Sequence, residues 1–252
     1  MVVGLLHPGE MGSAVGVQLV TRGIPVLWAS KGRSEETAGR AAGFEDVGTP
    51  EALARRSDVV LSICPPHAAL EVAQSLAGFD GIYVDANAVA PPTAREVADI
   101  HPRCVDGGIV GSPPRGRHRT HLYLSGAEAH AVAELFAGTS VDARVVSDEV
   151  GAASAVKVTF AAWTKGTAAM LLAILELARA EGVEDALLAE WGESLPELLP
   201  RIEAARRSAE TKGWRWVGEM EEIASAFSAH DLPDGFHRAA AEVFRWPQGV
   251  RS

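Results

Sequence analysis

The feature that most constrains this chain is the run of thirty residues from Ala152 to Glu181. It has no proline, a single glycine (Gly166) and, as far as Leu175, only two charges, Lys157 and Lys165. As a helix it would be roughly 45 Å long, about the width of a domain. Ser147 stands where an N-cap would, and Asp148 and Glu149 follow where carboxylates suit the positive end of a helix dipole. Alanine, leucine and isoleucine cover most of the circumference, which predicts a spine buried between two bodies rather than a surface helix. A membrane span competes with that reading. However, the longest uncharged run, Gly166 to Leu175, is ten residues, against the roughly 20 a bilayer needs. A lysine in such a spine is costly unless it is paired, neutral or part of a site, which singles out Lys157.

Upstream, short apolar runs alternate with helical segments. Val2–Leu6 leads into His7-Pro8-Gly9-Glu10-Met11-Gly12, after which Met11, Val15 and Leu19 recur at helical spacing as far as Gly23. Strand, glycine turn and helix is the setting in which a G-x-G-x-x-G pattern marks dinucleotide binding. Gly9 and Gly12 hold its second and third positions, one letting backbone approach a pyrophosphate, the other letting helix pack close to strand. His7 stands where the first glycine would, narrowing the approach and able to add a cation near phosphate. A plain strand-to-helix loop is the alternative.

Ile24–Ala29 reads as a second strand, followed directly by Ser30-Lys31-Gly32-Arg33-Ser34. At this point an acid holds the free ribose hydroxyl of NAD, whereas Arg among small hydroxyl side chains accepts the extra phosphate of NADP. The first acid after Ile24 is Glu35. Ser30, Lys31, Arg33 and Ser34 therefore predict NADP(H), with a solvated basic loop as the plainer alternative.

The alternation continues. Pro50–Arg56, Ala68–Ala77, Pro92–Ile100 and Ala127–Ala137 read as helices. Strands are expected at Asp58–Ile63, Gly81–Asp85, Cys104–Val110, His121–Leu124 and Ala143–Val146. Such a chain forms a mainly parallel sheet covered on both faces, with ligands beyond the carboxyl ends of the strands. Three loops are therefore of interest: Cys64-Pro65-Pro66-His67, Ala86-Asn87-Ala88 and Gly111-Ser112-Pro113-Pro114. The last continues as Arg115–His121, with three Arg and two His in seven residues. It is either a grip on an anionic substrate or the cofactor, or a mobile solvated loop. His67 and His101 read as surface histidines. Beyond the spine, Leu195–Thr211, Trp214–Ser228 and Asp234–Arg245 read as helices punctuated by Pro196, Pro200, Pro233 and Pro247. The expected fold is an α/β Rossmann-type doubly wound domain over residues 1–147, then an all-α domain over 148–252, joined through the long interdomain helix.

A net charge of −10 argues against a nucleic-acid partner. Two cysteines, Cys64 and Cys104, exclude a disulfide framework, and no His/Cys/Asp/Glu set has metal-ligand spacing, so no metal is expected. The strand-like start without a charged leader predicts no targeting segment and a cytoplasmic protein without membrane partners. With some seventy residues left to cover a nearly all-round apolar spine, a homodimer through the spine and tail helices is expected. Lys157 is read as the general acid, and in reverse the base, because burial would lower its pKa toward the working range. The alternative is a lysine that snorkels to solvent.

With these residues in place, the chain resembles the β-hydroxyacid dehydrogenase and 6-phosphogluconate dehydrogenase superfamily. The likeness is carried by the turn before Gly-Glu-Met-Gly, the basic Ser30–Ser34 stretch, Val84-Asp85-Ala86-Asn87 before Pro91, and Val105-Asp106-Gly107-Gly108-Ile109-Val110-Gly111. Gly151-Ala152-Ala153-Ser154-Ala155-Val156-Lys157 opening the long helix adds to it. The tail, with Gly213-Trp214-Arg215-Trp216-Val217-Gly218-Glu219-Met220, is similar to a poorly characterised branch. The resemblance implies a nicotinamide cofactor, a catalytic lysine at Lys157 and dimers built on the helical domain. Cofactor contacts are then expected from His7, Pro8, Gly9, Glu10, Met11, Gly12, Ser30, Lys31, Arg33, Ser34, Cys64, Pro65, Pro66 and Asn87. Substrate contacts are expected from Val110, Gly111, Ser112, Ala161, Thr164, Lys165, Trp216 and Glu219. Three positions depart from the family pattern: Ala161 replaces Asn, Val110 replaces Ser, and Gly218 replaces a Lys before the acid. Ala161, Thr164 and Ala168 share a helical stripe with Lys157, leaving room for something bulkier than a small hydroxy acid, with Thr164 as a polar contact. Imine reductases, relatives that usually lack this lysine, also match imperfectly. The function implied is an NADPH-dependent oxidoreductase at a carbonyl, alcohol or imine of a small molecule. Its rival is a non-catalytic NADP(H)-binding or sensing protein.

Overall fold

The structure, a computed structural model, describes residues 1–116 and 118–246, so Arg117 of the basic loop and Pro247 lie outside the described residues. The chain divides into two compact units, Met1–Lys157 and Val158–Ser252. The division falls inside the long helix rather than before it.

In the first unit the apolar runs become β1 (Val3–Leu5), β2 (Val26–Trp28), β3 (Glu45–Asp46), β4 (Val59–Ser62), β5 (Ile82–Asp85), β6 (Cys104–Val110), β7 (Thr120–Ser125) and β8 (Val141–Ser147). They form one sheet in the order β3-β2-β1-β4-β5-β6-β7-β8. The first six strands are parallel, β7 is antiparallel to β6, and β8 is parallel to β7. The winding direction reverses between β1 and β4, where a doubly wound sheet opens a crevice for ligands.

Helices cover both faces: α1 (Glu10–Thr21), α2 (Glu35–Arg40), α3 (Pro50–Arg56), α4 (Ala69–Ser75), α5 (Pro91–Ile100) and α6 (Ala129–Glu134). Val59 and Leu61 join the core formed with Val15 and Leu19 of α1 and Val132 of α6. Val60, between them, joins the opposite core with Leu53 of α3, Ala73 of α4 and Val97 of α5. Burial on both faces is why these strands read as continuous apolar runs. Pro50 and Pro91 sit at helix starts, where a missing N–H costs nothing. Helix α2 and strand β3 carried no such signal: both lack buried residues.

Three expectations are corrected. His101 is not a surface histidine. It is 1% exposed, stacks on Tyr83 with centroids 4.0 Å apart, and its Nε2 lies 2.9 Å from the Ala73 carbonyl oxygen. Ser147 does not cap the long helix; it ends β8, and α7 begins at Ala152 and runs to Ala180. The spine is also not apolar-buried all round. Ala161, Ala169, Leu172, Leu175 and Ala178 are buried, but Phe160, Trp163, Met170, Ile174 and Leu177 stay exposed. Among the described residues α7 is the one helix long and apolar enough to cross a membrane by length and composition.

Among the described residues the second unit is helical without strands: the remainder of α7, then α8 (Glu184–Ser194), α9 (Leu198–Ser228) and α10 (Gly235–Arg245). Helix α9 runs unbroken where two helices were expected, with Gly213 buried in its middle. Pro200 lies in its first turn, where proline is tolerated. Helix α10 packs along α9, burying Ala240, Ala241 and Phe244.

Candidate functional site

At the carboxyl ends of β1, β2, β4 and β5 the first unit gathers many of the residues expected to hold a cofactor. The turn after β1 brings α1 hard against the strand. A Cβ on Gly12 would lie 2.3 Å from the His7 carbonyl oxygen, so close helix–strand packing requires glycine here. A Cβ on Gly9 would meet nothing within 4 Å. Gly9 caps α1 without a side-chain hydrogen bond, which leaves the positive end of the helix dipole suited to an anion. The loop fits a pyrophosphate.

Beside that loop, Arg33 Nη2 lies 2.9 Å from His7 Nε2. A guanidinium only donates, so Nε2 accepts and the imidazole proton sits on Nδ1. Burial first, and the neighbouring Arg33 second, lower the His7 pKa to about 4. His7 is therefore neutral at neutral pH, and the cation beside this loop is Arg33. Ser34 Oγ accepts the Thr37 amide at 3.3 Å as the N-cap of α2, while Lys31 remains exposed. Asp46 was missed by sequence reasoning because it lies on the next strand over. Its Oδ1 accepts the Ser30 and Gly48 amides at 3.2 and 2.8 Å, and hydrogen bonding to Ser30 holds its pKa below the usual value.

Behind β4, Asn87 ties the next two loops together. Its Oδ1 accepts the Cys64 amide at 2.5 Å, and its Nδ2 donates to Ser62 Oγ at 3.2 Å and to Asp85 Oδ1. Burial pushes the Cys64 thiol up to about 12, so it stays protonated and is no nucleophile. Pro65 and Pro66 shape the turn that follows.

Lys157 sits on α7 where that helix crosses β6. A Cβ on Gly108 would fall 2.6 Å from the Ala153 carbonyl oxygen and 3.0 Å from Lys157 Cβ, so a bare backbone lets helix and strand approach this closely. Burial lowers the Lys157 pKa to about 8. What anchors the helix is a carboxylate that sequence reasoning did not single out. Asp106, on β6 and fully buried, accepts the Gly151 and Ser154 amides at 3.0 and 2.9 Å and the hydroxyls of Ser125 and Ser154 at 2.9 and 2.5 Å. Ser125 Oγ in turn accepts the Ala153 amide at 3.0 Å. Asp106 and Ser125 thus serve the orphan donors that Ser147 was expected to cap.

Val110 ends β6, and Gly111 turns the chain at φ 119°. The loop beyond is strapped to α1: Gln18 Nε2 donates to the Pro114 carbonyl at 3.1 Å and Arg115 to the Glu10 carbonyl at 3.4 Å. Ser112 uses its carbonyl to accept from Thr120.

In the second unit, Lys165 and Glu219 form an ion pair, 13% and 16% exposed, and Lys165 Nζ lies 5.4 Å from the Trp216 ring centroid. Trp216 meets Phe244 edge-on at 5.1 Å. Thr164 turns its hydroxyl back to the Phe160 carbonyl at 3.1 Å, and Ala161 is buried. A groove of about 540 Å³ is lined by Trp163, Thr164, Trp191, Arg201 and Trp216, among others.

Comparison with known proteins places this architecture. A family model described as "Domain of unknown function (DUF1932)" matches residues 178–246. Over 193 residues the chain is 31% identical to the "Uncharacterized 28.5 kDa protein in 7S RNA 5'region" of Methanothermus fervidus, covering 75% of each chain. Conserved protein MTH1747, of unknown function and described as structurally similar to 3-hydroxyacid dehydrogenases, superposes with a TM-score of 0.72. That match has 26% identity and covers 97% of this chain and 95% of that one. A reductive aminase from Aspergillus terreus in complex with NADPH and ethyl levulinate has the same fold at 18% identity, TM-score 0.62, covering 96% and 92%.

Proposed function

We infer the function from the family to which this chain belongs, that of the Methanothermus fervidus protein, a branch of the β-hydroxyacid dehydrogenase and 6-phosphogluconate dehydrogenase superfamily. From that premise we propose that it is an NADPH-dependent oxidoreductase acting at a carbonyl, alcohol or imine of a small molecule, with Lys157 as general acid. The observation that carries the reading is Lys157 itself: a lysine seated on the Gly108 backbone with its pKa lowered to about 8 by burial. A protein that merely bound the nucleotide would have no use for it.

The His7–Gly12 loop would hold the pyrophosphate, Arg33 with Ser30, Lys31 and Ser34 the ribose phosphate, and Cys64, Pro65, Pro66 and Asn87 the far side. When bound, the nicotinamide supplies the hydride. The chain's own contribution is to deliver a proton from Lys157 Nζ to the oxygen or nitrogen that becomes more basic. The residues proposed to contact substrate are Val110, Gly111 and Ser112 in the first unit and Ala161, Thr164, Lys165, Trp216 and Glu219 in the second. The reading includes a soluble, cytoplasmic protein without nucleic-acid or membrane partners.

The cofactor assignment is tested by titrating NADPH and NADH against fluorescence. One charge-assisted contact contributes about 1.5–3 kcal/mol, so Arg33→Ala should weaken NADPH roughly ten- to a hundred-fold while NADH barely changes. Equal affinity for the two nucleotides in the parent protein would sink the assignment.

The proposed homodimer would cover the exposed α7 stripe of Phe160, Trp163, Met170, Ile174 and Leu177. Light scattering at micromolar concentration should give twice the chain mass, and Leu177→Glu should shift it toward the monomer. A monomeric parent protein would count against this part of the reading.

A further inference from the structure

We propose that His7, standing where the fingerprint has its first glycine, is a specificity-determining residue that holds Arg33 for the 2′-phosphate of NADPH. The inference rests on the cofactor reading above and adds to it: discrimination belongs to the His7–Arg33 pair rather than to Arg33 alone.

An arginine on a loop after β2 has many rotamers, and fixing it before a ligand arrives removes an ordering cost from binding. His7 supplies the one feature needed, an acceptor, at 2.9 Å from Nη2. It does so without adding charge, because the buried imidazole stays neutral. A glycine at this position has no acceptor to offer. The pair also holds two donors, His7 Nδ1 and Arg33 Nε, that are buried with no hydrogen-bond partner among the described residues. Buried donors without partners are costly, and the oxygens of a phosphate are suited to satisfy them. These donors lie beside the Gly9–Gly12 turn, so the feature that departs from the fingerprint serves the same ligand.

The test is a set of binding isotherms for NADPH and NADH with the parent protein, His7→Gly, His7→Gln, His7→Phe, Arg33→Ala and the His7→Gly/Arg33→Ala double variant. His7→Gly should cost NADPH about ten-fold and leave NADH within about two-fold. His7→Gln, whose amide oxygen accepts, should recover most of the loss. His7→Phe keeps the bulk without the acceptor and should behave as His7→Gly does, which guards against a glycine variant that folds poorly. In the Arg33→Ala background, His7→Gly should cost little more, as expected of two residues acting through one contact. If Arg33→Ala abolishes a clear NADPH preference while both His7→Gly and His7→Phe leave it intact, or if the losses simply add, the inference is overturned and the cofactor reading stands. A parent protein without NADPH preference overturns both.

Discussion

Lys157→Met is expected to leave NADPH affinity within about two-fold and to cut turnover roughly 10²–10⁴-fold on any substrate the parent protein accepts, the usual contribution of a positioned general acid. The methionine keeps the length and the apolar stem that packs on Gly108 and removes only the ionisable head. The pH profile makes the assignment sharper. Reduction needs the ammonium, which dominates below the lowered pKa of about 8. The rate in that direction should therefore be flat at neutral pH and fall about ten-fold per unit above pH 8, and oxidation should show the mirror image. In Lys157→Met this limb should disappear. Lys165→Met, at a residue proposed to contact substrate rather than to transfer the proton, should cost turnover far less than Lys157→Met, because its ammonium is already held by Glu219 and Trp216. Full activity in Lys157→Met would end the proposal and leave Thr164, or a bound water, as the proton source.

Asp106→Ala is expected to cost about 3–5 kcal/mol of folding stability, visible as a large drop in the urea midpoint. The carboxylate takes two backbone amides and two hydroxyls in a fully buried setting. Removing it strands all four donors at once. Asp106→Asn keeps the volume but turns one acceptor into a donor facing other donors, so it should also destabilise. Ser125→Ala removes two bonds, its donation to Asp106 and its acceptance of the Ala153 amide, and should cost about 1–3 kcal/mol. The residue's role in seating α7, and with it Lys157 one turn beyond Ser154, depends on this network. A midpoint in Asp106→Ala within error of the parent protein would show that the helix start is held by other means.

The alternation of strands and helices was legible because each signal is local. A strand buried on both faces must be a largely apolar run, as residues 59–61 and 82–84 are before each strand ends in a buried polar residue. Proline at a helix start marks its position within a few residues, as at Pro50 and Pro91. The glycine turn was legible for the same reason: Gly12 answers to a steric limit set five residues away. Lys157 stood out because a charge in an apolar helix has few tolerable explanations. The elements that went unread, α2 and β3, bury nothing and so leave no hydrophobic pattern.

By itself, then, the sequence determined the doubly wound order of elements, the glycine turn after the first strand, the two lysines on the spine and the helical nature of the tail. Each follows from spacing within one or two turns of chain. Only the tertiary structure decided who partners whom. Asp106 meets the start of α7 across 45 and 48 residues, Arg33 meets His7 across 26, and Lys165 meets Glu219 across 54. Spacing along the chain says nothing about a carboxylate's partner, because long-range neighbours are set by how strands order in the sheet and how helices pack. The same holds for the exposed stripe on α7. Its apolar circumference could be read from the sequence, but which side the chain leaves bare is settled only when the other helices have taken their places.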